Sequence, residues 1–327
     1  MTTASAIPAR DKTSILLAHA AYRMGDALSA RHTGLQFREV RNAADLAAAL
    51  PAADVLVVSG LWRNELLEAA PRLRFIQSIG AGTDQFSRDG LKAKGVRLAS
   101  AQGVNEKAVS QHAMALILSM TRQLHLARDH QAKRTWRGMI ADPGRREEEL
   151  GGKTIVILGL GRIGSRLANL ARAFDMTVIG VKRDATTGGS AAHEVVTQAQ
   201  LLSVLPRADF VALTCPLTPD TEGAIGAQAL AVMKPSAILV NVARGRVVDE
   251  PALTRALADG TIAGAALDCF WQEPLQADSP LWAMPNVIVT PHTAGETRLY
   301  ENNVIDILLA NLERLWRGET TLSNQVV

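Results

Sequence analysis

The sequence predicts an α/β protein built on mainly parallel sheets, and three observations carry that prediction. Short β-branched runs alternate with helical stretches along nearly the whole chain. A glycine fingerprint sits between one such run and the helix that follows it. Three polar clusters stand just beyond the C-terminal ends of later runs, where open α/β sheets bind their ligands.

In the first third, Ile15–Ala18 and residues 55–59, 75–79 and 96–99 read as strands. Residues 20–30, 43–50 and Asn64–Ala69 read as helices, with Pro51 and Pro71 as stops. One long helix is expected over 106–131, with Val109, Ala113, Leu116, Ile117, Met120 and Leu124 on one side. The polar run 142–149 then reads as an exposed loop. A second series begins at Lys153, with strands at Thr154–Leu158, 176–181, 210–214, 237–241, 262–267 and 287–290. An amphipathic helix over 296–316 closes the chain.

At 327 residues the chain exceeds what one core usually supports, so two domains are expected. With 47% hydrophobic residues and two cysteines, a disulfide scaffold or a long disordered chain is excluded. The net charge of +3 is spread along the chain, which predicts no polyanion track and no nucleic-acid partner. No run reaches about 18 uninterrupted apolar residues, so no membrane span is expected. Residues 1–12 do not read as a signal peptide. Cys215 and Cys269 follow apolar runs and read as buried free thiols, which makes the cytoplasm the expected compartment.

The run TIVIL at 154–158 leads directly into GLGRIG at 159–164 and then a helical stretch. This is GxGxxG in the strand–turn–helix setting that gives it meaning. Gly159 permits the turn, Gly161 lets a pyrophosphate approach the backbone, and Gly164 allows helix and strand to pack closely. The unpaired amides of the helix N-terminus then hold the phosphates. At the tip of the second strand of such a unit an acid would repel a ribose 2′-phosphate, whereas cations would attract it. Lys182 and Arg183 stand there, so NADP(H) is expected as the preferred cofactor, with NAD(H) possible. The alternative is that they are solvated and Asp184 takes the ribose hydroxyls.

NVARG at 241–245 places Arg244 beyond one strand; DCFWQEP at 268–274 places Asp268 and Glu273 beyond another; PHTAG at 291–295 places His292 beyond a third. An arginine grips a carboxylate bidentately and polarises the neighbouring carbonyl. A histidine protonates a forming alkoxide, and a glutamate on its far nitrogen fixes the tautomer and favours the charged form. No side-chain nucleophile is needed, because hydride transfer belongs to the cofactor. His112 reads as a satisfied packing residue of the long helix, and His125 with His130 as a helix-surface pair. No HExxH, CxxC or clustered His/Asp/Glu pattern appears, so no metal site is expected.

These blocks, together with SIGAGTD at 78–84, ELGGKT at 149–154, PLTPDT at 216–221, MKP at 233–235 and PNV at 285–287, resemble the D-isomer-specific 2-hydroxyacid dehydrogenase family over essentially the whole chain. The resemblance implies Arg244, Glu273 and His292 as the catalytic set and the backbone of Ile79, Gly80 and Ala81 as the substrate-carboxylate site. It implies cofactor contacts from Arg162, Ile163, Thr214, Cys215, Pro216 and Val242, with Asp268 on the nicotinamide amide. It implies two Rossmann-like or flavodoxin-like lobes with a cleft between them. Residues 1–105 and 294–327 would form the substrate domain, and 106–293 the cofactor domain. It also implies a homodimer through the cofactor domain, with the Trp136 segment reaching a partner in some relatives.

Two departures stand out. The long helix reads VSQH at 109–112 where the family has a VAEH-like run, and Lys182 stands where the family commonly has an aspartate. The expected reaction is hydride transfer between NAD(P)H and a small 2-oxo acid, with glyoxylate or hydroxypyruvate favoured. Leu61 and Trp62 suggest a partly apolar side-chain pocket, and Arg63 is either a second anion contact or a solvated loop residue. Oxidation of phosphite or formate on the same scaffold, and a non-catalytic dinucleotide-sensing protein, are the alternatives. Glu273 beside His292 disfavours formate oxidation, which typically has a glutamine there.

Overall fold

A strand covered by helices on both faces has no solvent side, so it reads as a continuous apolar run. Such runs form the centres of both sheets in the computed structural model, which describes residues 7–186 and 191–327. The chain divides into two units, Met1–Asn105 with Thr297–Val327 and Glu106–Glu296.

The first unit comprises β1 (Ile15–Ala18), α1 (Met24–Ser29), β2 (Phe37–Val40), α2 (Ala43–Ala49), β3 (Val55–Val58), β4 (Phe75–Ser78), α3 (Arg88–Ala93) and β5 (Arg97–Ala99). Its sheet is parallel in the order β2-β1-β3-β4-β5, the flavodoxin-like arrangement. Every residue of β1, β3 and β4 is buried. Ile15 and Leu17 pack with the helix Tyr300–Trp316, while Leu16 and Ala18 pack on the other face with Leu46, Leu50 and Trp62. That last helix buries Tyr300, Val304, Ile305, Leu308, Leu312 and Leu315, a helical stripe laid along α1 and the sheet. Residues 324–327 cover the exposed edge of β5: the Val326 amide donates to Leu98 O at 2.7 Å and the Ser100 amide to Asn324 O at 3.0 Å.

The second unit comprises α4 (Glu106–Thr121), α5 (Leu124–Ala132), β6 (Thr154–Leu158), α6 (Arg162–Ala173), β7 (Thr177–Lys182), β8 (Glu194–Thr197), α7 (Leu201–Val204), β9 (Phe210–Leu213), α8 (Ala227–Val232), β10 (Ile238–Asn241), α9 (Glu250–Ala258), β11 (Gly264–Leu267) and β12 (Val287–Val289). Its seven strands are parallel in the order β12-β11-β10-β9-β6-β7-β8. From β8 inward this is the dinucleotide-fold order with one further strand. The order reverses between β6 and β9, which is where such sheets open a crevice at their C-terminal ends. Among the described residues no helix is long and apolar enough to cross a membrane.

Four elements differ from expectation. The helix expected over 106–131 is two: Gln123 takes a left-handed φ of 50° between α4 and α5. The buried stripe ends at Met120, and Leu124, expected on the same side, is 54% exposed. Asn64–Ala69 is a 3₁₀ helix rather than an α-helix. β2 and β8 are edge strands with mixed burial, so neither shows the apolar run by which the central strands are read.

Candidate active site

At the end of β6 the chain turns at Gly159, whose φ is +103° and whose Cβ would lie 2.5 Å from the Cys215 amide nitrogen. A side chain there is excluded twice, by conformation and by the β9 loop. Thr214 donates from Oγ1 to Gly159 O at 2.7 Å, fastening the two strand ends across the point where the order reverses. A Cβ on Gly164 would strike Gly159 O and the Thr214 hydroxyl, so α6 starts hard against the turn. Gly161 differs: a Cβ there would meet nothing of the protein within 4 Å. Its open face, and an α6 N-terminus with no side-chain cap, fit a pyrophosphate lying on the backbone of Gly161, Arg162 and Ile163.

Lys182 closes β7 and Arg183 follows it, exposed. Asp184 accepts from the Thr186 hydroxyl at 2.6 Å and its amide at 2.9 Å, and these bonds hold its carboxyl below the usual carboxylate range. Thr214, Cys215 and Pro216 follow β9, and Val242 follows β10 with its amide on Leu213 O at 3.3 Å. Burial pushes the Cys215 thiol up to about 11, and also raises the Cys269 thiol. Both are therefore neutral packing groups.

Arg244 is presented by a braced loop. Buried Asn241 accepts from the Ala243 amide and donates to Arg244 O, each at 3.0 Å. A Cβ on Gly245 would overlap the Phe270 carbonyl, so only glycine lets the β10 and β11 loops close together. From the β11 loop, Glu273 accepts the Phe270 amide on Oε1 at 3.0 Å and meets His292 Nδ1 with Oε2 at 2.7 Å. Burial works to raise the Glu273 pKa, but the bonds to His292 and Phe270 and the nearby charges of His292 and Arg244 bring it below the usual range. The hydrogen bond to Glu273 raises His292 above the ordinary imidazole range, against burial and the Arg244 charge. With Nδ1 held by the carboxylate, Nε2 is the nitrogen left for chemistry. His292 adopts a left-handed φ of 55°, a conformation disfavoured for a side chain with a Cβ.

Asp268, 1% exposed at the end of β11, lies beneath this group. It accepts from the Thr290 hydroxyl at 2.6 Å and from the amides of Thr293 and Ala294 at 3.0 Å, so it pins the turn that carries His292. His112 joins it from α4, with Nε2 at 3.1 Å from Thr290 Oγ1 and 3.6 Å from Asp268 Oδ1. His112 is thus satisfied by Thr290 and Asp268. No local signal marks it, because its partners lie on strand ends far along the chain.

The first unit carries the other candidates. Ile79 is buried, with its amide on Val58 O at 3.1 Å. The amides of Gly80 and Ala81 donate to no acceptor among the described residues. Leu61 is half-buried, whereas Trp62 is 1% exposed, with its ring on Phe86, so it is a core residue and not a pocket wall. Arg63 curls onto the Gly60 and Trp62 carbonyls of its own loop.

The family model described as D-isomer specific 2-hydroxyacid dehydrogenase, NAD binding domain, matches residues 114–294. A curated relative, glyoxylate/hydroxypyruvate reductase B of Pectobacterium carotovorum subsp. carotovorum, is 38% identical over 277 residues, 83% of this chain and 85% of its own. A solved structure from Thermus thermophilus superposes with a TM-score of 0.85 at 30% identity, covering 96% of this chain and 100% of its own. The NADPH-dependent glyoxylate/hydroxypyruvate reductase of Sinorhizobium meliloti, solved with NADP and malonate, gives 0.81 at 27% identity over 97% of each chain.

Proposed function

The chain belongs to the D-isomer specific 2-hydroxyacid dehydrogenase family, and from that premise we propose that it reduces glyoxylate or hydroxypyruvate, with NADPH preferred to NADH. It is a nicotinamide-dinucleotide-dependent oxidoreductase working between small 2-oxo acids and D-2-hydroxy acids. The observation that carries the catalytic assignment is the Glu273–His292 pair at 2.7 Å, with the Arg244 charge acting on both members.

The backbone of Gly161, Arg162 and Ile163 would hold the dinucleotide's phosphates, with Gly159 and Gly164 allowing the turn and the close packing that present them, and Thr214, Cys215, Pro216 and Val242 would flank the rest of it. Bound and reduced, the dinucleotide supplies the hydride that adds to C2 of the 2-oxo acid. Arg244 grips the substrate carboxylate and polarises the keto oxygen; within the first unit, the amides of Gly80 and Ala81 are read as carboxylate donors. His292 donates its Nε2 proton to the oxygen as negative charge develops there, and Glu273 stabilises the imidazolium beforehand. Asp268, on the same reading a contact to the nicotinamide amide, also anchors the loop that presents His292.

Lys182 and Arg183 at the tip of β7 supply the cations a 2′-phosphate requires, while the Asp184 carboxylate is engaged with Thr186. Two buried free thiols fit a reducing compartment, the cytoplasm. The second unit also carries the surface for a homodimer, argued below. The test is a screen of glyoxylate, hydroxypyruvate, pyruvate and longer 2-oxo acids, each with NADPH and NADH. Turnover confined to long-chain acids overturns the substrate assignment, and a preference for NADH overturns the cofactor assignment.

A further inference from the structure

We propose that Tyr300 and Ser78 are positioning residues for substrate binding: they fix the two peptide planes whose amides receive the substrate carboxylate. The inference rests on the reading of Gly80 and Ala81 as carboxylate donors and goes beyond it by naming what aims them.

In a trans peptide the carbonyl and the following N–H point in opposite directions, so holding one aims the other. The Tyr300 hydroxyl donates to Ile79 O at 2.8 Å, and Tyr300 is itself buried among unit-core side chains. That bond turns the Ile79 carbonyl inward and the Gly80 N–H the opposite way. The next peptide is held likewise: Gly80 O accepts from Ser78 Oγ at 3.0 Å and from the Ala101 amide at 3.0 Å, which aims the Ala81 N–H. Without these bonds the segment has little to resist rotation, because Gly80 and Gly82 have no side chain to restrict it. A carbonyl that accepts a hydrogen bond also polarises its own peptide, which strengthens the N–H as a donor.

Further bonds stiffen the same strand from behind. Gln77, fully buried, donates to Ser78 O at 3.1 Å and accepts from Asn311 at 3.1 Å. Tyr300 and Asn311 both belong to the helix Tyr300–Trp316, so one helix supports β4 and its loop at two points.

The test compares Tyr300→Phe, Ser78→Ala and Ala81→Pro with the unaltered chain, using glyoxylate as substrate and NADPH throughout. Tyr300→Phe keeps the ring and removes one buried hydrogen bond. It is expected to raise KM for glyoxylate about tenfold, with kcat within about twofold and the Kd for NADPH unchanged. Ser78→Ala is expected to move KM the same way by less, since the Ala101 amide still holds Gly80 O. Ala81→Pro deletes one amide donor outright and tests the underlying reading. If it raises KM and Tyr300→Phe does not, the positioning role is overturned and the carboxylate reading stands. If neither raises KM, the carboxylate reading fails and the proposal with it. If Tyr300→Phe lowers kcat and NADPH binding together with substrate binding, the tyrosine is a general structural residue and the proposal is overturned. Should Ala81→Pro not fold, a neutral 2-oxo amide decides: a Tyr300→Phe loss confined to the acid supports the proposal, and equal losses on both substrates overturn it.

Discussion

Glu273 holds the Phe270 amide with one carboxylate oxygen and His292 with the other, so its charge is both fixed in place and directed at the imidazole. The raised pKa of His292 has a definite consequence for the direction of catalysis. With His292 as the proposed acid, reduction needs it protonated, so the rate is expected to fall as pH rises through that pKa; oxidation of the hydroxy acid needs it neutral and is expected to rise through the same value. Glu273→Gln removes the charge that raises it and leaves only a neutral acceptor for Nδ1, while the Arg244 charge still lowers it. The alkaline limb of the reductive kcat/KM profile is therefore expected to move to lower pH, and an unmoved limb counts against His292 as the acid. Arg244→Ala and His292→Ala are each expected to lower kcat/KM by on the order of 100-fold or more, with NADPH binding retained in a fluorescence titration. Near-normal turnover in either variant removes it from the catalytic set. The Glu273–His292 contact was legible because each residue stands past an apolar strand. His112 and Tyr300 were not, because their partners lie 178 and 221 residues away and nothing local records the meeting.

Among the elements, those with apolar runs were the readable ones. β1, β3, β4 and β6 are buried between layers of helix and announce themselves. β2 and β8 lie at sheet edges, where most positions are only partly buried and a strand does not need the run that identifies it. The break between α4 and α5 was hidden for the opposite reason: Leu124 continues the apolar spacing, although the surface that α4 packs against does not extend that far. The proposed preference for NADPH is testable at the end of one element, the tip of β7. Lys182→Asp combined with Arg183→Ala replaces attraction for a 2′-phosphate by repulsion. A single charge-assisted hydrogen bond contributes about 1.5–3 kcal/mol, so the ratio of kcat/KM with NADPH to that with NADH is expected to fall at least about tenfold. Because the ribose hydroxyls of NADH gain an acceptor, the NADH value should hold or rise. An unchanged ratio would mean that Lys182 and Arg183 do not meet the cofactor, and the 2′-phosphate reading is then lost.

For the molecule as a whole, its second unit exposes apolar surface that its own chain does not cover. No residue of α5 is buried, Leu124 is 54% exposed, and Trp136 and Met139, in the segment that follows, are almost wholly exposed. A large aromatic and a methionine so exposed within four residues of one another are unusual on an isolated protein and fit the contact of the proposed homodimer. The segment is nonetheless ordered by polar contacts: Arg137 pairs with Glu147, and Arg146 donates to Ile140 O and Ala141 O, each at 2.9 Å. It is thus held in shape while its apolar side chains point outward, the condition expected of a preformed docking arm. We expect sedimentation of the unaltered chain at low micromolar concentration to report twice the 34.9 kDa chain mass. Trp136→Asp with Met139→Asp places carboxylates in that buried contact, where an unpaired charge is heavily disfavoured, and should shift the mass to that of one chain. The fingerprint and the Glu273–His292 pair lie elsewhere in the unit, so NADPH binding by the variant should persist and show that it is folded. An unaltered chain that already sediments at the single-chain mass, or a double variant that remains paired, rules out this arm as the dimer contact.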